Sequence, residues 1–157
     1  MGFAMQMVVD GSKIYLAEDR VVRCFGLTEQ EMSTVYEAAG TIRDLEKIGP
    51  YWFILDDGSS QTQILYTEDF NTYQDLMDFN TLDPNFNQWG TDYTIEWHFD
   101  GICGNNFQSI FLSMSCEDAD GILKFNGQEF QWIYDSVRYT REATTPGGWS
   151  YGCYGPF

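Results

Sequence analysis

Gly148-Trp-Ser-Tyr-Gly152 has the Gly-x-Ser-x-Gly spacing of a nucleophile elbow, where a strained turn lifts a serine towards a general base. That chemistry needs a helix after the serine and a histidine later in the chain. Five residues follow Gly152, and the one histidine, His98, lies upstream, so Ser150 reads as an ordinary loop serine. His98 sits in Thr94-Ile-Glu-Trp-His-Phe-Asp100. In a strand, Glu96, His98 and Asp100 share one face. Such a face can serve as an acid–base cluster, the basis of a small-hydrolase reading built on Glu96 and His98. More often such a pattern is the solvated face of a strand, here one whose Ile95, Trp97 and Phe99 point inward.

Metal and cofactor chemistry find little to work with. A single histidine cannot supply a multi-histidine site. Cys116-Glu-Asp-Ala-Asp-Gly121 opens like a calcium loop but lacks the later ligands and the closing glutamate, so it reads as a turn. Asp56-Asp57-Gly58 also reads as a turn, and a glycosidase-type carboxylate pair is recognisable only by its separation in the fold. No P-loop or dinucleotide-binding fingerprint is present. The expectation is no catalytic residue, no metal and no cofactor.

Charge is the informative feature. The chain of 157 residues carries 24 acids against 8 Lys and Arg, a net charge of −16. Between Lys47 and Lys124 there are thirteen acids and no Lys or Arg. This block also holds Tyr66, Phe70, Tyr73, Phe79, Phe86, Trp89, Tyr93, Trp97 and Phe99, so it should fold rather than trail as an acidic tail. Phosphates repel such a surface, which argues against direct nucleic-acid binding. An acidic surface keeps a protein soluble, and it also steers a basic partner.

Apolar residues make up 43% and aromatics 17%, ample for one core in a single domain spanning 1–157. The glycine- and aromatic-rich segment 142–157 reads as a docked edge or a loose end. Met1 to Asp10 has no basic n-region, and the apolar stretch from Ile110 to Met114 is too short to span a bilayer. Cys24, Cys103, Cys116 and Cys153 form no Cys-x-x-Cys pair and read as free, mostly buried thiols of a cytoplasmic protein.

The elements that must position these residues read as hairpins plus two helices. Asp10-Gly11, Asp57-Gly58, Asp100-Gly101, Asp120-Gly121 and Asn126-Gly127 lie beside β-favouring runs, as type I′ turns do. Thr28-Glu-Gln-Glu31 is a capping-box pattern, followed by Met32, Val35, Tyr36, Ala39, Ile42 and Leu45 at helical spacing, with Gly49-Pro50 as the stop. A second helix is expected from after Thr67 to about Phe79, with Glu68, Asp75 and Asp78 together on its exposed side. The expected fold is therefore α+β: a mainly antiparallel sheet built from hairpins, with two helical segments packed on it.

In size, charge and aromatic content the chain is similar to small immunity proteins and to phage-encoded inhibitors such as anti-CRISPR proteins. The similarity extends to no motif and carries no residue roles. The leading reading is a non-enzymatic inhibitor of a basic, nucleic-acid-handling protein such as a nuclease. Glu68, Asp75 and Asp78 supply its charged face, and Phe86 and Trp89 its aromatic anchors. A carbohydrate- or small-ligand-binding module with exposed aromatics is the alternative, ahead of the Glu96/His98 hydrolase. No membrane partner is expected, and the oligomeric state is open.

Overall fold

The computed structural model describes residues 6–58, 62–76, 98–116, 119–135, 138–145 and 148–154. Fourteen strands occur among them and no helix, which overturns the α+β expectation. The first sheet is β1 (Gln6–Asp10), β2 (Lys13–Glu18), β3 (Val21–Gly26) and β4 (Glu31–Glu37). The second is β5 (Thr41–Ile48), β6 (Tyr51–Asp57), β7 (Thr62–Thr67) and β8 (Gln74–Asp75). The third is β9 (His98–Asn106), β10 (Ser109–Cys116), β11 (Ala119–Phe125) and β12 (Phe130–Asp135). A two-stranded sheet, β13 (Arg138–Thr145) with β14 (Gly148–Tyr154), takes up most of the glycine-rich C-terminal segment.

Every sheet is an antiparallel meander whose spatial order is its chain order. The first strands β1, β5 and β9 lie side by side, β5 touching both neighbours. Four-stranded meanders repeated in this way are the strand pattern of β-propeller blades. The second sheet is the filling of the sandwich. Trp52, Ile54, Ile42 and Leu45 face the first sheet and pack with Tyr15, Ala17, Val22 and Cys24. Phe53, Leu55, Ile64 and Ile48 face the third and pack with Phe99, Ile102, Ile110, Leu112 and Leu123. Buried on both sides, β6 reads Trp-Phe-Ile-Leu without alternation.

The first expected helix is instead a hairpin and a bulge. Gln30 N donates to Gly26 O at 2.8 Å, one isolated helical turn, and Gln30 at φ 56° ends it. The capping signal at Thr28 thus builds only the loop between β3 and β4. Ile42 and Leu45 stand three apart on the same face because a bulge falls between Ile42 and Asp44. The extra residue, Arg43, imitates a helical step in the sequence. Gly49-Pro50 is the turn from β5 to β6, with Gly49 at φ 61°.

The second expected helix fails for a similar reason. Thr67 Oγ1 accepts from Asp69 N at 3.3 Å and Phe70 N at 3.0 Å, and Asp69 Oδ1 accepts from Asn71 N at 2.8 Å and Thr72 N at 3.2 Å. These are helix-capping contacts spent on consecutive turns. Phe70, at φ 58°, seats its ring on Tyr15 and Trp52.

The turns are corrected in detail. Gly11-Ser12 forms the first hairpin loop, with glycine first and φ 58°, the type II′ pattern rather than type I′. Asp100-Gly101 is a bulge inside β9, so the span 100–106 is strand, not connection. Asp120-Gly121 lies within β11. Asn126-Gly127 does lie in a turn, but in a four-residue loop between Phe125 and Phe130 with only Gly127 at positive φ, not the expected two-residue type I′ turn; Asn126 Oδ1 accepts from Gln128 N and Glu129 N.

Candidate functional site: the acidic outer strands

The last strand of each meander is its open edge: β4, β8 and β12. Exposed acids collect on two of these edges. Glu31 and Glu37 lie on β4, Asp75 on β8, and Glu68 and Asp69 in the bend that joins β7 to β8. Charges on an open edge also block edge-to-edge pairing with other chains.

The bases are placed elsewhere and are mostly matched. Arg23 pairs with Glu18 at 3.1 Å, Arg43 with Asp57 at 2.6 Å, and Lys47 with Asp10. Arg20 donates through Nη2 to the Ala38 carbonyl at 3.1 Å, and Lys124 lies 5.8 Å from the Phe111 ring centre. Among the described residues none of Glu31, Glu37, Glu68 or Asp75 takes part in an ion pair.

Each edge is held by built contacts. The buried Asp56 carboxylate at the end of β6 accepts from Tyr36 Oη at 2.9 Å, Ala39 N at 3.0 Å and Gly40 N at 2.9 Å, fixing the passage from β4 into β5. Burial, and then the hydrogen bond to Asp56, push the Tyr36 hydroxyl well above the ordinary tyrosine range. Tyr73 Oη donates to the carbonyls of Val35 at 3.2 Å and Phe70 at 3.0 Å, tying the β7–β8 bend to β4. The two backbone amides aimed at Asp69 hold its carboxyl below the usual range. The negative charge of Glu68 raises the Tyr51 hydroxyl.

The sequence-predicted site is brought together only in part. Glu68 and Asp75 are both exposed at the outer rim of the second sheet, but they do not share a helix face. Asp75 stands opposite Leu65, which packs towards the first sheet, whereas Glu68 lies by Tyr51 on the side of the third. Asp78, Phe86, Trp89 and Glu96 lie outside the described residues. His98 opens β9, paired in register with Ser115. Cys24 is buried and Cys103 exposed, both as free thiols, so the expectation of mostly buried cysteines holds for only one of the two.

Reading the sequence missed Glu31, taken only as a capping-box residue, and Glu37, and it missed Asp56, read as a turn acid. The run Ser33-Thr-Val-Tyr36, β-branched and aromatic, is the signal that marks β4. No described helix is long and apolar enough to cross a membrane.

No protein-family model and no curated protein sequence matches the chain. Among solved structures, the chain is similar to the N-terminal domain of Nup159, with 11% sequence identity and a TM-score of 0.49. The match covers 83% of this chain, which spans 29% of that one.

Proposed function

We propose that this protein is a non-enzymatic inhibitor that binds a basic, nucleic-acid-handling protein in the cytoplasm through the acidic rim on β4 and β8. One observation carries the reading. Arg20, Arg23, Arg43, Lys47 and Lys124 are engaged in contacts within the fold, while among the described residues Glu31, Glu37, Glu68 and Asp75 take part in no ion pair. Unmatched surface charge repels itself, and a partner of opposite sign removes that repulsion on binding.

The test is association kinetics against a panel of basic nucleases and nucleic-acid-binding proteins, for wild type and the E31K/E37K/D75K variant. A true target associates more slowly as salt rises, and the variant loses most of the on-rate at low salt. Equal on-rates for variant and wild type at low salt would remove the rim from the interface.

A further inference from the structure

The open edge of β4 holds main-chain groups that the fold leaves unused. Leu27 N donates to Ser12 O at 2.8 Å, so these two residues form a hydrogen-bonded pair at the end of the β2–β3 ladder. Such pairs alternate along antiparallel strands, which makes Ile14 with Phe25 the next one. Phe25 therefore turns its N–H and C=O towards β2, and its neighbours Cys24 and Gly26 turn theirs towards β4. Gly26 O accepts from Gln30 N on that side. The β4 partners of Cys24 and Gly26 are Ser33 and Glu31, so Met32 and Thr34 point both N–H and C=O away from the sheet. Among the described residues no hydrogen bond reaches those groups. The run from Glu31 to Thr34 is exposed throughout. It ends at Val35, where the pairing with β3 slips by one residue and Tyr73 Oη donates to the Val35 carbonyl at 3.2 Å.

We propose, resting on the acidic rim of the proposed function, that this edge receives an extended segment of the basic partner as a fifth strand of the first sheet, antiparallel to β4. Main-chain hydrogen bonds give strand addition its affinity, and alternate side chains give its specificity. Charge selects the occupant. Glu29 and Glu31 stand at one end of the free run and Glu37 beyond the other, all exposed and in no ion pair among the described residues. In a twofold pairing of β4 with a second copy, the Glu29 and Glu31 end of each strand would meet the Glu37 end of the other. Like charges set across a strand pair are destabilising, so the acids refuse another copy of this chain. A segment bearing lysine or arginine turns the same acids into attraction. Strand alternation fixes its pattern, with a cation opposite Glu31 and an apolar residue opposite Met32 on the other face. The acidic edge at β8 is two residues long and offers no comparable ladder.

The probe is a capped peptide of alternating lysine and valine, compared with two relatives that carry the same side chains. One is N-methylated at its valine amides and the other at its lysine amides. With valine opposite Met32 and Thr34, the valine amides face β4 and the lysine amides face solvent. The parent and the lysine-methylated peptide should bind alike, and the valine-methylated one at least about tenfold more weakly, because its ladder bonds are lost. Binding of the parent should slow amide exchange at Met32 and Thr34, whereas Ser33, bonded to β3, is protected in the free protein already. At low salt the E31K/E37K/D75K variant should bind the parent at least about tenfold more weakly. Equal binding of all three peptides, or unchanged exchange at Met32 and Thr34, would remove the fifth strand and leave the acidic rim standing. A parent peptide that fails to bind at millimolar concentration overturns the strand addition as well. Undiminished binding by the charge variant would remove the rim and the basic occupant together.

Discussion

Asp44 accepts a hydrogen bond from Gln6 Nε2 at 2.7 Å through Oδ1, while its Oδ2 accepts from Ile102 N at 2.7 Å. Gln6 closes the loop, its Oε1 accepting from Leu45 N at 2.7 Å. One side-chain pair thus fastens β1 to β5 and β5 to β9, the three strands at which the stacked meanders meet. The contacts span 38 and 58 residues of sequence, so they tie together elements that local propensity cannot. Asp44 stands beside the β5 bulge, which turns it towards this junction.

Asp44→Asn should therefore destabilise the whole stack rather than one hairpin. The carboxamide has a single acceptor oxygen, so either Gln6 Nε2 or Ile102 N faces an NH2 group. A half-buried donor left without its acceptor costs about 1–3 kcal/mol. Urea unfolding followed by tryptophan fluorescence should show one cooperative transition at lower midpoint with an unchanged slope. An unmoved midpoint would mean that hydrophobic packing alone joins the sheets.

Tyr36 and Tyr15 predict how the fold fails in alkali. Burial is the main cause in both, and it pushes Tyr15 up to about 12, with Cys24 and Asp10 adding to it. A tyrosine whose folded value is raised above its unfolded value near 10 contributes stability that is complete below pH 10 and is lost as pH climbs through the folded value. Stability should be flat to about pH 10 and fall steeply by about pH 12. Titration of tyrosinate absorbance should show these two hydroxyls ionising only with unfolding. Y15F should move the loss to higher pH.

Much of the strand content was legible, and the reason is local. The runs 52–55, 61–66, 107–114, 122–125 and 128–134 carry the β-favouring residues and bounding turns that mark hairpins, and β6, β7, β10, β11 and β12 fall there. Ile42, Phe53, Leu55, Ile110, Leu112 and Phe125 are buried, as their apolar character predicts. Val35 and Phe130 are half-buried, and Trp97 lies outside the described residues. What failed was every inference that needed tertiary context. A single bulge converts period two into an apparent helical step, and capping contacts look alike whether a helix or a turn follows. Which face of the first sheet stays open depends on what stacks against it, and that is not written in any one strand. The helix face expected to gather Glu68 and Asp75 is absent for the same reason, since the meander sends the two residues to opposite faces.

Ile133 separates register from composition. As an apolar residue in a β-favouring run it reads as a core residue, yet it is 52% exposed, on a strand whose pairing with β11 is interrupted by a bulge between Ile122 and Leu123. Ile133→Ala should cost less than about 0.5 kcal/mol, as surface changes do. Leu55→Ala, fully buried between the second and third sheets, should cost about 2–5 kcal/mol. Thermal unfolding of the two variants checks the contrast, and equal losses would show that strand β12 is phased the other way.

The connection from β4 to β5 leaves no room at Gly40. A methyl group there would run into the carbonyl oxygen of Asp57, which is backbone and cannot swing aside. Gly40→Ala must push this passage away from β6, straining the bonds from Ala39 N and Gly40 N to the buried Asp56. Overpacking of this kind costs about 1–3 kcal/mol, and loosening the Asp56 carboxylate adds to it. The expected outcome is a lower melting temperature together with faster amide exchange at Ala39 and Gly40. Wild-type protection at both amides would show that the junction can shift without releasing Asp56.

The acidic rim makes a prediction about the free protein that needs no partner. Acids without counter-ions repel one another, and the repulsion is screened by salt. Raising ionic strength should therefore raise the melting temperature, and the gain should shrink in the E31K/E37K/D75K variant, which relieves the repulsion at its source. At low salt that variant should melt no lower than wild type, because Glu31, Glu37 and Asp75 are exposed and take part in no ion pair among the described residues. Single exposed charges seldom contribute more than about 1 kcal/mol each. A fold that uses these acids for its own stability would respond in the opposite way, with the variant melting lower at low salt. The sign of that shift tells whether the rim is kept for the fold or is free to meet a basic surface.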